Sequence, residues 1–162
     1  MRAAILRDDS GTLNIEDVTI DKPDRNEVLI KTVASGLCHS DLHFIDGSWS
    51  FLAMYPMLLG HEAAGVVQAV GEDVVGIQTG DHVITCLSMF CGYCERCLTG
   101  HSYLCSERQQ VQGRQPGNQP RITDNDGAEV NQFTGIGSFG EEMLVHQNGV
   151  VKISNEMPLD RA

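Results

Sequence analysis

The sequence predicts a mainly β domain of barrel type, with short helices and a small lobe that a metal must hold together. Three observations lead there. Short runs of β-branched and aliphatic residues alternate with Gly, Pro, Asp and Ser clusters along most of the chain, the pattern of strands joined by turns. Cys91, Cys94, Cys97 and Cys105 form the run C-x2-C-x2-C-x7-C, and such short spacers let four thiolates converge on one tetrahedral zinc ion. The 162 residues fit one domain, expected to span 1–162, and are enough to bury a core without disulfides.

In chain order, Ala3 to Leu6, Thr12 to Ile20 and Glu27 to Ser35 read as strands separated by turn residues. Ser40 is a plausible N-cap for a short helix over Asp41 to Ile45, ending near Gly47. A loop through Trp49, Phe51 and Tyr55 reaches Pro56. Ala63 to Val75 and His82 to Leu87 read as further strands, with Cys86 as a buried strand thiol. The cysteine lobe occupies about residues 88–106, where small and polar residues give no core of their own. From Ser106 to Gln132 the composition turns to Gln, Asn, Gly, Pro and Asp, which predicts a long surface excursion. Strands return at Glu142 to His146 and Val150 to Ile153.

Composition narrows the function. A formal charge of -11 and scattered Lys and Arg residues argue against a nucleic-acid partner, which needs a basic face. No apolar run approaches a membrane span or a signal h-region, so the expectation is a soluble, cytoplasmic protein without membrane association. Six cysteines could staple a small secreted chain, but four are clustered and no export signal precedes them, which favours metal over disulfides.

Gly60-His61-Glu62 with Gly65, Gly71 and Val74 gives G-H-E-x2-G-x5-G-x2-V. Together with Cys38, Ser40, Asp41 and His43, with Gly80-Asp81 and Val83, and with the four-cysteine lobe, this string resembles the zinc-containing medium-chain alcohol dehydrogenases along the whole chain. The resemblance implies a GroES-like β-barrel with a structural-zinc lobe. It also implies that Cys38 and His61 are ligands of a catalytic zinc, with Glu62 as an exchanging ligand, and that Asp41 accepts a hydrogen bond from the ligating histidine. A thiolate and an imidazole suit zinc, and a catalytic site keeps one position open. Ser40 and His43 would relay the alcohol proton through the cofactor ribose. His39 and His43 would face the cofactor, NAD or NADP, with His39 near its pyrophosphate. Trp49, Leu87 and Phe133 fall near positions that contact substrate, and each could equally be core. The implied reaction is zinc-assisted hydride transfer between a small alcohol and an aldehyde or ketone.

Gly135-Ile-Gly-Ser-Phe-Gly140 matches G-x-G-x-x-G, but the following residues, with Gly149 and β-branched side chains, do not continue as the helix a dinucleotide fingerprint requires. No nicotinamide-binding Rossmann domain is expected in this sequence. The resemblance places a third cysteine ligand about five residues past the point that matches Ala162. The chain therefore reads as the N-terminal part of a longer dehydrogenase, inactive alone and holding one zinc tightly. A homo-oligomer is compatible with this reading. The alternative is a non-enzymatic, zinc-stabilised GroES-like module.

Overall fold

A computed structural model of the protein describes residues 1–114 and 117–162. Eleven strands follow the chain: β1 (Arg2–Leu6), β2 (Leu13–Asp17), β3 (Thr19–Ile20), β4 (Glu27–Ser35), β5 (Met57–Leu58), β6 (Ala63–Val70), β7 (His82–Thr85), β8 (Ile122–Thr123), β9 (Asn131–Gln132), β10 (Glu142–His146) and β11 (Val150–Lys152). Three short helices join them: α1 (His39–Ile45), α2 (Glu95–Leu98) and α3 (Gln109–Gln112). The strands build a five-stranded sheet in the order β10-β4-β6-β7-β11, a four-stranded sheet β2-β1-β5-β9 and a two-stranded ribbon β3-β8. The fold is mainly β, as the alternation of apolar and turn residues predicts. Among the described residues no helix is long and apolar enough to cross a membrane.

Alternation places the core. In β4 and β10 the inward residues Val28, Ile30, Met143 and Val145 are fully buried against Val67, Val83 and Ile136. A second cluster joins Ala3, Ile5, Leu58 and Ile122, and a third joins Leu6, Phe44, Met57 and Leu59. Each buried Val, Leu, Ile, Phe or Met among them contributes about 1.5–3 kcal/mol by leaving water.

The antiparallel pairing of β4 with β6 ends at Ser35↔Ala63, and the Gly36 amide extends it by donating to the Glu62 carbonyl at 2.7 Å. This register brings the segment just after β4, where Cys38 lies, beside His61 just before β6.

Four expectations need correction. The helix expected from Asp41 starts at His39, with Cys38 rather than Ser40 at the cap; the Cys38 amide donates to Asp41 Oδ2 at 3.1 Å, so the carboxylate closes the first turn. The strand expected to run to Val75 stops at Val70, because the Gly71 amide turns to the Glu27 carbonyl and Val74 bonds back to Gly71. Cys86, expected to be buried, is exposed, since the β7 pairing with β11 ends at Thr85.

The stretch from Ser106 to Gln132, apart from Gln115 and Pro116, which lie outside the described residues, is not all surface. It carries α3, β8 and β9 and buries Val111, Arg121, Ile122, Asp124 and Val130. Arg121, 5 % exposed, donates from Nε to Glu27 Oε1 at 2.7 Å, and Arg114 Nη2 reaches Glu27 Oε2 at 2.7 Å. Burial alone raises the Glu27 carboxyl, but the two guanidinium groups outweigh it and hold it below its ordinary value. Hydrogen bonds from Arg114, Lys152 and Arg7 lower Asp21, Asp81 and Asp124 in the same sense. For groups depressed in the folded state, the stabilising contribution is present above the unfolded value and is lost as pH falls through the folded one. The expected result is an acid transition below about pH 4, seen in Trp49 fluorescence, that becomes shallower in Glu27→Gln. An unchanged profile in that variant would show that the buried pair does not couple to folding.

Candidate metal centres

In the lobe, α2 and the turn after it bring four sulfurs together. Cys94 Sγ lies 3.5 Å from Cys97 Sγ and 3.9 Å from Cys105 Sγ, and Cys91 Sγ lies 3.9 Å from Cys97 Sγ. Tetrahedral zinc with bonds of about 2.3 Å needs sulfurs about 3.8 Å apart, so the donor set fits the ion. The amides of Cys91 and Cys94 donate to Cys105 Sγ and Cys91 Sγ, each at 3.3 Å, and amide donation favours thiolate. The Cys94 thiol is lowered to about 5, first by the backbone N–H of Cys97, whereas burial pushes the Cys97 thiol up to about 12. A bound cation would displace the protons that remain. Across residues 91–105 Cys105 alone is buried, while Leu98, Tyr103 and Leu104 are exposed. The lobe has no apolar core to close it.

The second cluster joins Cys38, His61 and Glu62, whose ligand atoms all lie within 4.8 Å of one another. Asp41, 2 % exposed, organises it: Oδ2 accepts from the Cys38 amide and Oδ1 from the Gly60 amide at 2.9 Å. One buried carboxylate thereby ties down the backbone beside both ligands. His61 is itself buried; its Nδ1 lies 3.5 Å from Asp41 Oδ1 and has no hydrogen-bond partner, and its Nε2 is 4.0 Å from Glu62 Oε1. The Nε2 edge of the ring is thus the one turned to Glu62, and a cation gathered by the thiol, imidazole and carboxylate suits this donor set.

The remaining candidates divide into groups. Ser40 Oγ is 3.7 Å from Cys38 Sγ. Phe133 meets the His61 ring edge-on, with centroids 5.1 Å apart. His39 stacks on His43 with ring centroids 4.5 Å apart, and Trp49, in the loop after α1, meets His43 at a tilt with centroids 4.6 Å apart. Leu87 sits with His61 and Glu62 on the wall of a cavity of about 540 Å³. Sequence reasoning missed Thr85, whose hydroxyl accepts from the Ala63 amide at 3.0 Å and reaches the His61 carbonyl at 3.2 Å; a threonine inside a strand gives no signal of this. It also missed Ser138, fully buried and 2.7 Å from Ser35 Oγ.

Comparison with known proteins gives the family. The alcohol dehydrogenase GroES-like domain matches residues 24–155. S-(hydroxymethyl)glutathione dehydrogenase of Saccharomyces cerevisiae is 36% identical over 162 residues, covering 99% of this chain and 42% of its own. The NDMA-dependent alcohol dehydrogenase of Amycolatopsis methanolica is 37% identical, with 99% and 43% covered. Among solved structures, an alcohol dehydrogenase zinc-binding domain protein from Burkholderia ambifaria superposes with a TM-score of 0.87 at 35% identity, over 98% of this chain and 43% of that one. The benzyl alcohol dehydrogenase of Acinetobacter calcoaceticus gives 0.79 at 32% identity, with 98% and 42% covered. The chain thus spans less than half the length of these relatives. It belongs to the alcohol dehydrogenase GroES-like domain family, and its relatives are zinc-containing medium-chain alcohol dehydrogenases.

Proposed function

We propose that this chain forms the catalytic-metal portion of an NAD(P)-dependent alcohol dehydrogenase that interconverts a small alcohol with its aldehyde or ketone. The observation that supports this best is the convergence of Cys38, His61 and Glu62 within 4.8 Å, with His61 and Glu62 on a cavity wall. When bound there, zinc supplies Lewis acidity to an alcohol oxygen. The chain's own residues do the rest. Asp41 fixes the backbone on either side of the centre. Ser40, beside Cys38, accepts the alcohol proton, and His43 carries it toward the surface; His39 and His43 face the nicotinamide cofactor, and Leu87, Trp49 and Phe133 supply apolar walls. All six cysteines are free, which suits a reducing cytoplasmic setting.

The test is a cobalt titration of the 162-residue protein. A first, tight equivalent should enter the four-cysteine site. A second, weaker one should show a thiolate-to-metal band that Cys38→Ser removes and that trifluoroethanol, an acidic alcohol, shifts. A second spectrum indifferent to the alcohol would overturn the reading. The donor counts favour a second reading, a zinc-stabilised module without catalysis, because four thiols complete a tetrahedral set and three donors do not. That reading predicts a single cobalt equivalent.

A further inference from the structure

Gly36, one residue past β4, has no conformational need to be glycine. Its φ lies outside the left-handed region that Gly60, Gly135 and Gly137 occupy, so an alanine could follow the same backbone. What the missing side chain leaves is space, and Glu62 fills it. A Cβ on Gly36 would lie 2.6 Å from Glu62 Oε2, 3.2 Å from its Cβ and 3.6 Å from its Cδ. At no other described glycine is the nearest atom part of an ionisable side chain.

The Glu62 backbone cannot retreat to make room. The Gly36 amide donates to the Glu62 carbonyl at 2.7 Å, and Ser35 pairs with Ala63. Thr85 Oγ1 accepts from the Ala63 amide at 3.0 Å and donates to the His61 carbonyl at 3.2 Å, so the peptide units on both sides of Glu62 are held. The carboxylate is the part free to move. Its side chain is 54% exposed and spans two neighbours: Oε2 rests over Gly36, while Oε1 faces His61 Nε2 at 4.0 Å. Nitrogen and oxygen ligands of one tetrahedral zinc, with bonds of about 2.0–2.2 Å, lie about 3.4 Å apart. The carboxylate therefore stands just beyond ligand distance, in the hollow that Gly36 leaves.

We propose that Gly36 is a positioning residue for Glu62: its missing side chain is the seat that lets the carboxylate stand back from the metal position, and so keeps Glu62 an exchanging group rather than a fixed ligand. This rests on the Cys38/His61 centre proposed above. The methyl group of Gly36→Ala would press on Oε2, and Oε1 lies on the other edge of the carboxylate, so the push runs toward His61 Nε2. With a divalent cation in place, attraction between opposite charges favours the same direction.

The experiment is a cobalt titration of the second site in the 162-residue protein, with the four-cysteine site already filled by zinc. Gly36→Ala should bind cobalt roughly tenfold more tightly than the unaltered chain. Glu62→Gln should cancel the gain, so that the double variant matches Glu62→Gln by itself. Because a flexible carboxylate is what moves, the Tm of Gly36→Ala should fall by no more than about 4 °C. Unchanged or weaker cobalt binding in folded Gly36→Ala overturns the proposal. A gain that persists beside Glu62→Gln overturns it too, since the backbone would then have shifted instead. If Gly36→Ala does not fold, the conflict lies in the backbone and the proposal falls. Failure of the metal reading itself would look different: in the unaltered chain the second cobalt spectrum would be insensitive to Cys38→Ser.

Discussion

Cys97→Ser is expected to unfold residues 92–105 while the sheets survive. Residues 91–105 contain one buried residue, Cys105, so apolar burial cannot hold the run once the four-sulfur set is broken. Structural zinc sites carry apparent binding free energies of about 10–16 kcal/mol, and that binding is folding free energy for the segment concerned. The lobe is tied to the barrel by few groups: Met89 is fully buried in the main core, and Asn148 Nδ2 donates to the Phe90 carbonyl at 2.6 Å. Of the ligand run itself, Cys91, at its first position, packs against that core, so the loss should be confined to the run beyond it. Hydrogen exchange should show fast amides from 92 to 105 with β4 and β6 still protected, and zinc analysis should show the tight ion gone. Retained zinc with retained lobe protection would refute the assignment of the four cysteines to one site.

Gly60→Ala is expected to damage both stability and the second centre. Gly60 has φ +86, and a Cβ on it would stand 2.3 Å from Ser138 Oγ and 2.5 Å from Phe139 Cδ1. Left-handed backbone costs an alanine about 1–2 kcal/mol, and overpacking adds about 1–3 kcal/mol. The resulting loss of about 2–5 kcal/mol corresponds to a fall in Tm on the order of 5–15 °C for a chain of this size. The Gly60 amide is also one of the two that Asp41 holds, so any shift there moves His61, the next residue. A thermal melt gives the first effect and the cobalt spectrum of the second site the other. An unchanged melt would mean that the Ser138–Phe139 segment yields freely.

These two substitutions also mark what could be read in advance. The cysteine spacing and the Gly-His-Glu string are local patterns with direct chemical meaning, and the long strands β4 and β6 declare themselves by their valines, joined in β4 by Leu29 and Ile30. Strands β5, β8 and β9 have two residues each, too few to show a period. The strand limits at Val70 and Thr85 depend on which partner strand runs out first, a property of pairing rather than of composition. Polar residues between 106 and 132 concealed burial because Arg121 is buried only by meeting Glu27, 94 positions away. Asp41 could be recognised as a carboxylate near the ligands, but its backbone partners, Cys38 and Gly60, are visible only once β4 and β5 are placed.

The ladder between β4 and β6 has a further consequence. Thr32 pairs with Gly65 and Ala34 with Ala64, which leaves Val33, half exposed at 51%, as an extra residue in a bulge. A bulge adds one unpaired residue to one strand, bends it and sharpens its twist. Removal of Val33 would leave Thr32↔Gly65 and Ala34↔Ala64 as consecutive pairs of a regular ladder, so Cys38 would keep its register with His61 and lose only the bend that delivers it. A residue that binds nothing thereby sets the direction in which the strand hands its chain to the centre.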